Sequence, residues 1–329
     1  MARVRRTKFD DLREQAWRAV CDWAKAVASK PLPTPLHILA RLRKIQCVRF
    51  EPLLSTAGLT KHDNGYAIVV NTEAPGVTQN AGTVLPVDNA WDDLAPPLRF
   101  TIAHEISHLF FLNSIGVADR RFSVRNHAQL ERACNEMARV ILIPQQRLVK
   151  EIGTPDQLFD GRHLKHVCNM FRVSPEVFVR RLTLTDMRDA FGNVDGLIAF
   201  VRVEAESFRI VASHVWGPQA CSRFRVSPRL SRQGHHTVSK RPDNPDGCML
   251  RELHLGSDLD TPLGTSEHHQ EELRVPGAKN LELPCEFNAC LTSSRPRAFL
   301  ISIRVSGPPG DKQQIGRDQS LSLESPTKT

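Results

Sequence analysis

The sequence predicts an α+β protein built from several parts, and three observations carry this prediction. Apolar residues recur at helical spacing in residues 10–28, Asp63-Asn64-Gly65 is a strong turn signal before an apolar strand, and residues 196–203 alternate as a strand does. Changes in pattern place boundaries near residues 150 and 193. The predicted parts are a first domain of residues 1–150, a helical segment 151–192, a mixed α/β C-terminal domain 193–305 and a disordered tail 306–329.

The first part is predicted to hold helices around a small sheet. Three prolines after the first helix interrupt the chain, and the turn at residues 63–65 joins two strands. Residues 72–92 are predicted to form a loop, and Pro144 is expected to end the last helix of this part. The predicted helices are residues 10–28, 36–44, 95–112 and 128–142, and the predicted strands are residues 47–53 and 66–70.

The second part has the pattern of a helix-turn-helix. Residues 155–183 are predicted to be helical, with the turn "RVSP" between two helices. Basic residues nearby favour DNA binding, whereas the apolar Phe171, Val173, Val177 and Phe178 favour ordinary packing, which is the preferred interpretation. Beyond it, residues 196–203, 207–216 and 297–305 are predicted strands, and residues 217–293 have no clear pattern.

Composition excludes some classes of protein. The formal charge is +8, and residues 1–50 alone hold twelve Lys or Arg against four Asp or Glu. This basic segment suits nucleic acid or an acidic partner, but a solvated helix face explains it more simply. No signal peptide or run of about 18 apolar residues is visible, and the eight scattered cysteines form no CxxC pair. We therefore expect a cytoplasmic protein with reduced thiols that does not enter a membrane.

A metal site is predicted in the apolar stretch "RFTIAHEISHLFF", residues 99–111. His104 and His108 are four residues apart, so a helix places both imidazoles on one face, where they can bind one Zn²⁺. Glu105 lies beside that face and can take a proton from a water molecule at the metal. This H-E-x-x-H arrangement is typical of metalloproteases, in which Glu105 would be the catalytic base.

A catalytic zinc needs a third protein ligand, and Glu131 in "LERACNEMARVILIP" is the best candidate. Glu136 and His127 are weaker rivals for this role. Asn135 lies one turn after Glu131 and can hydrogen-bond a residue that binds the metal. Leu130, Cys134, Met137 and Ile141 are predicted to face the core. We expect the metal to be Zn²⁺, with Mn²⁺ or Fe²⁺ as alternatives in the cell that depend on availability.

These two segments together resemble the ImmA/IrrE family of metallo-endopeptidases. The family joins H-E-x-x-H to E-x-x-[AC]-N-x-x-A-x-x-x-L-x-P, and the matching residues are His104, Glu105, His108, Glu131, Cys134, Asn135, Ala138, Leu142 and Pro144. The resemblance covers about residues 35–185. It implies a gluzincin-like core in residues 1–150, with a small sheet and two metal-binding helices, and a GAF-like C-terminal domain. It also implies a zinc peptidase that cleaves helix-turn-helix repressors, as in stress responses.

The sequence leaves several alternatives open. A donor to the developing oxyanion is expected near the metal, and Tyr66 or His127 could serve. The strand at residues 66–71 could bind substrate at a sheet edge. A second metal site could involve residues that match no standard zinc pattern: Cys248, His254, His268, His269, Cys285 and Cys290. The competing function is a catalytically silent protein that binds a repressor or DNA.

Overall fold

The computed structural model describes most of the chain up to residue 184 and the strands that follow. Both predicted metal-binding helices lie within the first of these regions. The described residues are 8–74, 76–115, 127–184, 187, 190–191, 194, 196–204, 207–216, 236–237, 269–273, 283–294 and 297–305. The predicted disordered tail lies outside them.

The first sheet has four strands in the order β2-β3-β1-β4. The predicted hairpin is confirmed: β2 and β3 are antiparallel, and His62 pairs with Gly65 across Asp63 and Asn64. Asp63 takes a positive φ of 46°, a conformation that suits Asp and Asn in tight turns. The strands are β1 (Ile45–Glu51), β2 (Ala57–His62), β3 (Gly65–Asn71) and β4 (Val84–Pro86).

Two predictions about this sheet were wrong. Residues 72–92 are not all loop, because β4 pairs with β1 and a 3₁₀ turn covers Asn89–Asp93. Strand β3 is not an edge, because it pairs with β2 on one side and runs parallel to β1 on the other. Its backbone groups are therefore already used within the sheet, and it cannot bind substrate as an edge strand.

The predicted helices of the first part are confirmed with small changes at their ends. Trp91 and Thr34 offer backbone carbonyls to the guanidinium of the fully buried Arg99, at 2.9 and 2.8 Å. These bonds fix the first turns of α3 against the preceding chain. The helices are α1 (Lys8–Val27), α2 (Leu36–Leu42), α3 (Pro96–Ile115) and α4 (His127–Leu142).

The helical segment is also confirmed. Asp160 caps α6 by accepting from the backbone N–H groups of Arg162 and His163, and Ser174 caps α7 by accepting from that of Val177. A helix that was not predicted spans the expected boundary at residue 150. These helices are α5 (Gln145–Ile152), α6 (Gly161–Phe171) and α7 (Pro175–Leu182).

The second sheet is antiparallel, with strand order β7-β6-β5-β10-β9-β8. The three predicted strands of this domain are present, and three more fall in the stretch that had no clear pattern. The strands are β5 (Gly196–Glu204), β6 (Ser207–Trp216), β7 (His236–Thr237), β8 (His269–Leu273), β9 (Leu283–Ser294) and β10 (Arg297–Val305). The GAF-like assignment of this domain stays a prediction.

One continuous core joins the two sheets through the helices. Buried residues of α1, α3 and α4 belong to the same apolar cluster as Phe178 of α7 and Leu300 of β10. Polar contacts cross the same junction, since Ser302 donates to the carbonyl of Phe159 at 2.5 Å. Within the described part of the chain, no helix is both long and apolar enough to cross a bilayer. The fold therefore holds α3 and α4 side by side in a shared interior.

Candidate metal centre

Helix α3 places the two histidines of the motif one turn apart on one face. The Nε2 atoms of His104 and His108 are 3.1 Å apart, and the two rings meet at 76°. Both side chains are mostly buried. Burial is the largest cause that lowers the pKa of each imidazole, to about 4 for His108. Both rings are therefore neutral at pH 7, which is the form that binds metals.

Helix α4 places the carboxylate of Glu131 beside both imidazoles. One carboxylate oxygen lies 3.1 Å from His104 Nε2, and the other lies 3.4 Å from His108 Nε2. Donors held about 2.0–2.1 Å from a tetrahedral zinc lie about 3.3 Å from one another. The spacing of the two imidazoles and the carboxylate thus fits a zinc ion bound by three protein ligands. The chemistry of this donor set also suits Mn²⁺ or Fe²⁺.

Glu105 is the second carboxyl group beside the two imidazoles. It is 7% exposed, and one of its oxygens lies within 4.8 Å of the ring nitrogens of His104 and His108. Burial, followed by the charge of Glu131, raises the pKa of Glu105 to about 7. Glu105 and Glu131 both neighbour the imidazoles, but only Glu131 approaches both Nε2 atoms at the spacing expected of a ligand.

Two residues of α4 contact the ring nitrogens that face away from this point. His104 Nδ1 lies 3.0 Å from Asn135 Oδ1, so the ring donates there and its Nε2 keeps a free lone pair. His108 Nδ1 lies 3.4 Å from the Sγ atom of Cys134, which is fully buried. The lone pairs of two imidazoles and a carboxylate therefore converge, an arrangement that a cation stabilises.

The contact of Cys134 was missed by the sequence reasoning. Cys134 was expected on the core face of its helix, and Met137 and Ile141 are buried there with it. Its spacing from Glu131 was a usable signal, because residues three apart share a helix face. The second ring nitrogen of each histidine also needs a partner, and the sequence analysis offers only Asn135 for this role.

The other predicted site residues fall in different places. The carboxylate of Glu136 accepts from Arg13 Nη2 at 2.7 Å, so this rival ligand belongs to the contact between α4 and α1. His127 is largely exposed and lies 3.8 Å from Glu131. Tyr66 lines a groove of about 390 Å³ beside the β2–β3 turn, together with Lys44 and Lys61. A donor role for Tyr66 or His127 stays a prediction.

The helix-turn-helix pattern forms internal contacts. Arg181 of α7 is fully buried and donates to the carbonyl of Ile143 at 2.8 Å. Arg180 donates to the carbonyl of Val211 on β6 at 2.9 Å and pairs with Glu176. The second helix therefore packs between α4 and the second sheet, in agreement with the packing interpretation.

The proposed second metal site stays untested. Cys248, His254 and His268 lie outside the described residues. The described backbone places His269 on β8, and Cys285 and Cys290 on β9.

One of the comparisons with known proteins matches the segment that holds the site. Residues 94–183 match the family model Peptidase_M78, described as the IrrE N-terminal-like domain. Nine chains among the solved structures match, including a Mycobacterium tuberculosis transcriptional regulator with 14% sequence identity. That match covers 91% of this chain and 80% of the regulator with a TM-score of 0.43, which is too low to support an argument about fold or function. No curated protein matches the chain.

The matched segment contains the whole of both helices that form the site, α3 and α4. It ends just after α7, so it also includes the helix-turn-helix pattern. Residues 94–183 are thus similar to the ImmA/IrrE family of metallopeptidases, which supports the resemblance that the two motifs indicated.

Proposed function

We propose that the protein is a zinc-dependent endopeptidase that hydrolyses a peptide bond in a protein substrate. The observation that carries this proposal is the convergence of His104, His108 and Glu131 at the spacing of zinc ligands, next to the buried carboxyl group of Glu105. A structural zinc site needs no such fourth group. The match of residues 94–183 to a peptidase family model supports the same reaction.

Each residue has a distinct role in this proposal. His104, His108 and Glu131 would hold the metal, and Asn135 keeps the His104 ring in the tautomer that leaves Nε2 free. A zinc ion at these ligands would act as a Lewis acid that polarises the scissile carbonyl and lowers the pKa of a water molecule. Glu105 takes the proton of the attacking water and delivers it to the leaving amine nitrogen. Tyr66 or His127 donates to the developing oxyanion.

The proposed substrate is a helix-turn-helix transcriptional repressor, whose cleavage relieves repression in the cytoplasm. The resemblance to repressor-cleaving peptidases supports this substrate class. Arg180 and Arg181 of α7 form internal contacts, which argues against direct DNA binding by this helix.

A matched pair of proteins tests the proposed activity. Zinc-loaded wild type and Glu105→Gln are incubated with a cell lysate, and the new protein N-termini are labelled and sequenced. We expect specific new termini with the wild type and none with the variant, because Gln cannot accept the proton. The same set of termini from both proteins would contradict peptidase activity at this site. No new termini from a wild type that binds a repressor would instead support the silent binding protein.

A further inference from the structure

The two metal-binding histidines are supported by different residues of α4. An imidazole that binds a metal through Nε2 carries its proton on Nδ1, and that N–H needs an acceptor to fix the ring. His104 has the amide oxygen of Asn135 at 3.0 Å. The atom that faces Nδ1 of His108 is the sulfur of Cys134, at 3.4 Å.

The surroundings of Cys134 make this contact an effective one. The residue is fully buried on the face of α4 that packs against α3, so water does not compete for its sulfur atom. The planes of the two rings are inclined at 76° to each other, so a contact that fixes the orientation of His104 does not also fix that of His108. Each ring therefore needs its own support.

We propose that Cys134 is a positioning residue that accepts the Nδ1–H of His108 and so directs His108 Nε2 toward the metal. The inference rests on the proposed function, because it requires that the cluster holds zinc. Glu131, Cys134 and Asn135 lie within five residues of one helix. Helix α4 would thus supply one ligand and both of the groups that orient the other two ligands.

The size of the effect follows from the chemistry of the acceptor. Loss of a hydrogen-bond partner of a metal-binding histidine typically weakens metal binding about 10–100-fold. A thiol sulfur is a weaker acceptor than an amide oxygen. We therefore expect the low end of this range, about 10-fold, when Cys134 is replaced by Ala.

The test measures zinc affinity of the full chain by competition with a chromophoric chelator. The variants are Cys134→Ala, which removes the acceptor, and Cys134→Ser, which restores an acceptor at the same place. Cys168→Ala is the matched control, because Cys168 is equally buried but lies on α6. We expect Cys134→Ala to bind zinc about 10-fold more weakly. The Cys134→Ser and Cys168→Ala variants should stay within about 3-fold of the wild type, since both keep an acceptor for His108.

Each result has a separate meaning. Equal zinc affinity in Cys134→Ala and the wild type would overturn the role of Cys134 and leave the zinc site intact. A wild type that binds no zinc would overturn the proposed function itself. Equal losses in Cys134→Ala and Cys168→Ala would show a general packing effect and also overturn the inference.

A measurement on the wild type keeps the inference testable if Cys134→Ala does not fold. In the zinc-loaded protein labelled with ¹⁵N-histidine, we expect an Nδ1–H signal of His108 that exchanges slowly with water. An Nδ1–H that exchanges as fast as that of the exposed His127 would contradict the bond to Cys134.

Discussion

At the scale of single residues, the centre combines neutral imidazoles with two carboxyl groups of different character. Glu131 is partly open and approaches both imidazoles, whereas Glu105 is 7% exposed. Burial penalises the ionised form of Glu105, and the nearby charge of Glu131 adds to this effect. Without a metal, the site therefore destabilises the folded protein once Glu105 ionises.

The substitution Glu105→Gln should relieve this cost in the metal-free protein. The pKa of Glu105 is raised from 4.5 to about 7, so between these values the folded state keeps a proton that the unfolded state has lost. Stability of the wild type therefore falls as pH rises through this range and levels off above about 7. The free energy of unfolding of the variant minus that of the wild type should therefore be roughly 2–3 kcal/mol larger at pH 8 than at pH 5.

Urea unfolding of both chelator-treated proteins at the two pH values measures this gain. The imidazoles titrate in both proteins, so their contribution is largely removed by the comparison. The same difference in unfolding free energy at pH 5 and pH 8 would contradict the buried, proton-retaining Glu105.

At the scale of secondary-structure elements, the position of α3 depends on a buried cation. Arg99 is fully buried and donates to the carbonyls of Trp91 and Thr34. Its pKa is lowered to about 10, mainly by burial, so it stays charged at neutral pH. The first turns of the helix that carries His104 are thus tied to two earlier segments of the chain.

The substitution Arg99→Lys should destabilise the protein by roughly 2–3 kcal/mol, because one ammonium cannot reach both carbonyls and one stays buried without a donor. Guanidinium unfolding measures the change, and Arg132→Lys on the exposed face of α4 is the control. The control should change stability by no more than about 0.5 kcal/mol. Equal small effects in both variants would show that the two carbonyl contacts contribute little.

The elements of the site could be predicted because their signals are local. The spacing of His104 and His108, the apolar face of α4 and the stop at Pro144 are each read from a short stretch of sequence. The short strand β4 and the interior place of β3 could not be predicted in this way. Both depend on pairing with β1. Strand β3 runs parallel to β1, and β4 pairs with β1 although the two strands are far apart in the sequence.

The contact between Cys134 and His108 could be predicted only in part. The helix face of Cys134 was predicted from periodicity, and the residue is indeed buried. Its partner on α3 depends on how the two helices pack, which periodicity does not specify.

At the scale of the whole molecule, the second sheet is part of the interior that supports the site. Ile198, Phe200 and Leu300 are buried in the same cluster as the core of α3 and α4. Arg180 and Ser302 add hydrogen bonds across the junction. The sheet therefore covers the apolar faces of α6 and α7.

A variant that ends at residue 192 should consequently have a midpoint of thermal unfolding lower by more than about 5 °C, because it exposes these faces. A variant that ends at residue 305 removes only the predicted disordered tail and should stay within about 2 °C of the full chain. Differential scanning calorimetry measures both. An unchanged midpoint after truncation at 192 would show that the first two parts are stable without the sheet.

The most direct test of the central claim is the zinc content of the purified protein by native mass spectrometry. Wild type, Glu131→Ala and Glu136→Ala are compared, since Glu136 lies on the same helix but pairs with Arg13. We expect about one zinc per chain in the wild type and in Glu136→Ala, and a large loss in Glu131→Ala because a catalytic site needs three protein ligands. A wild type that holds no zinc after zinc is supplied would contradict the account.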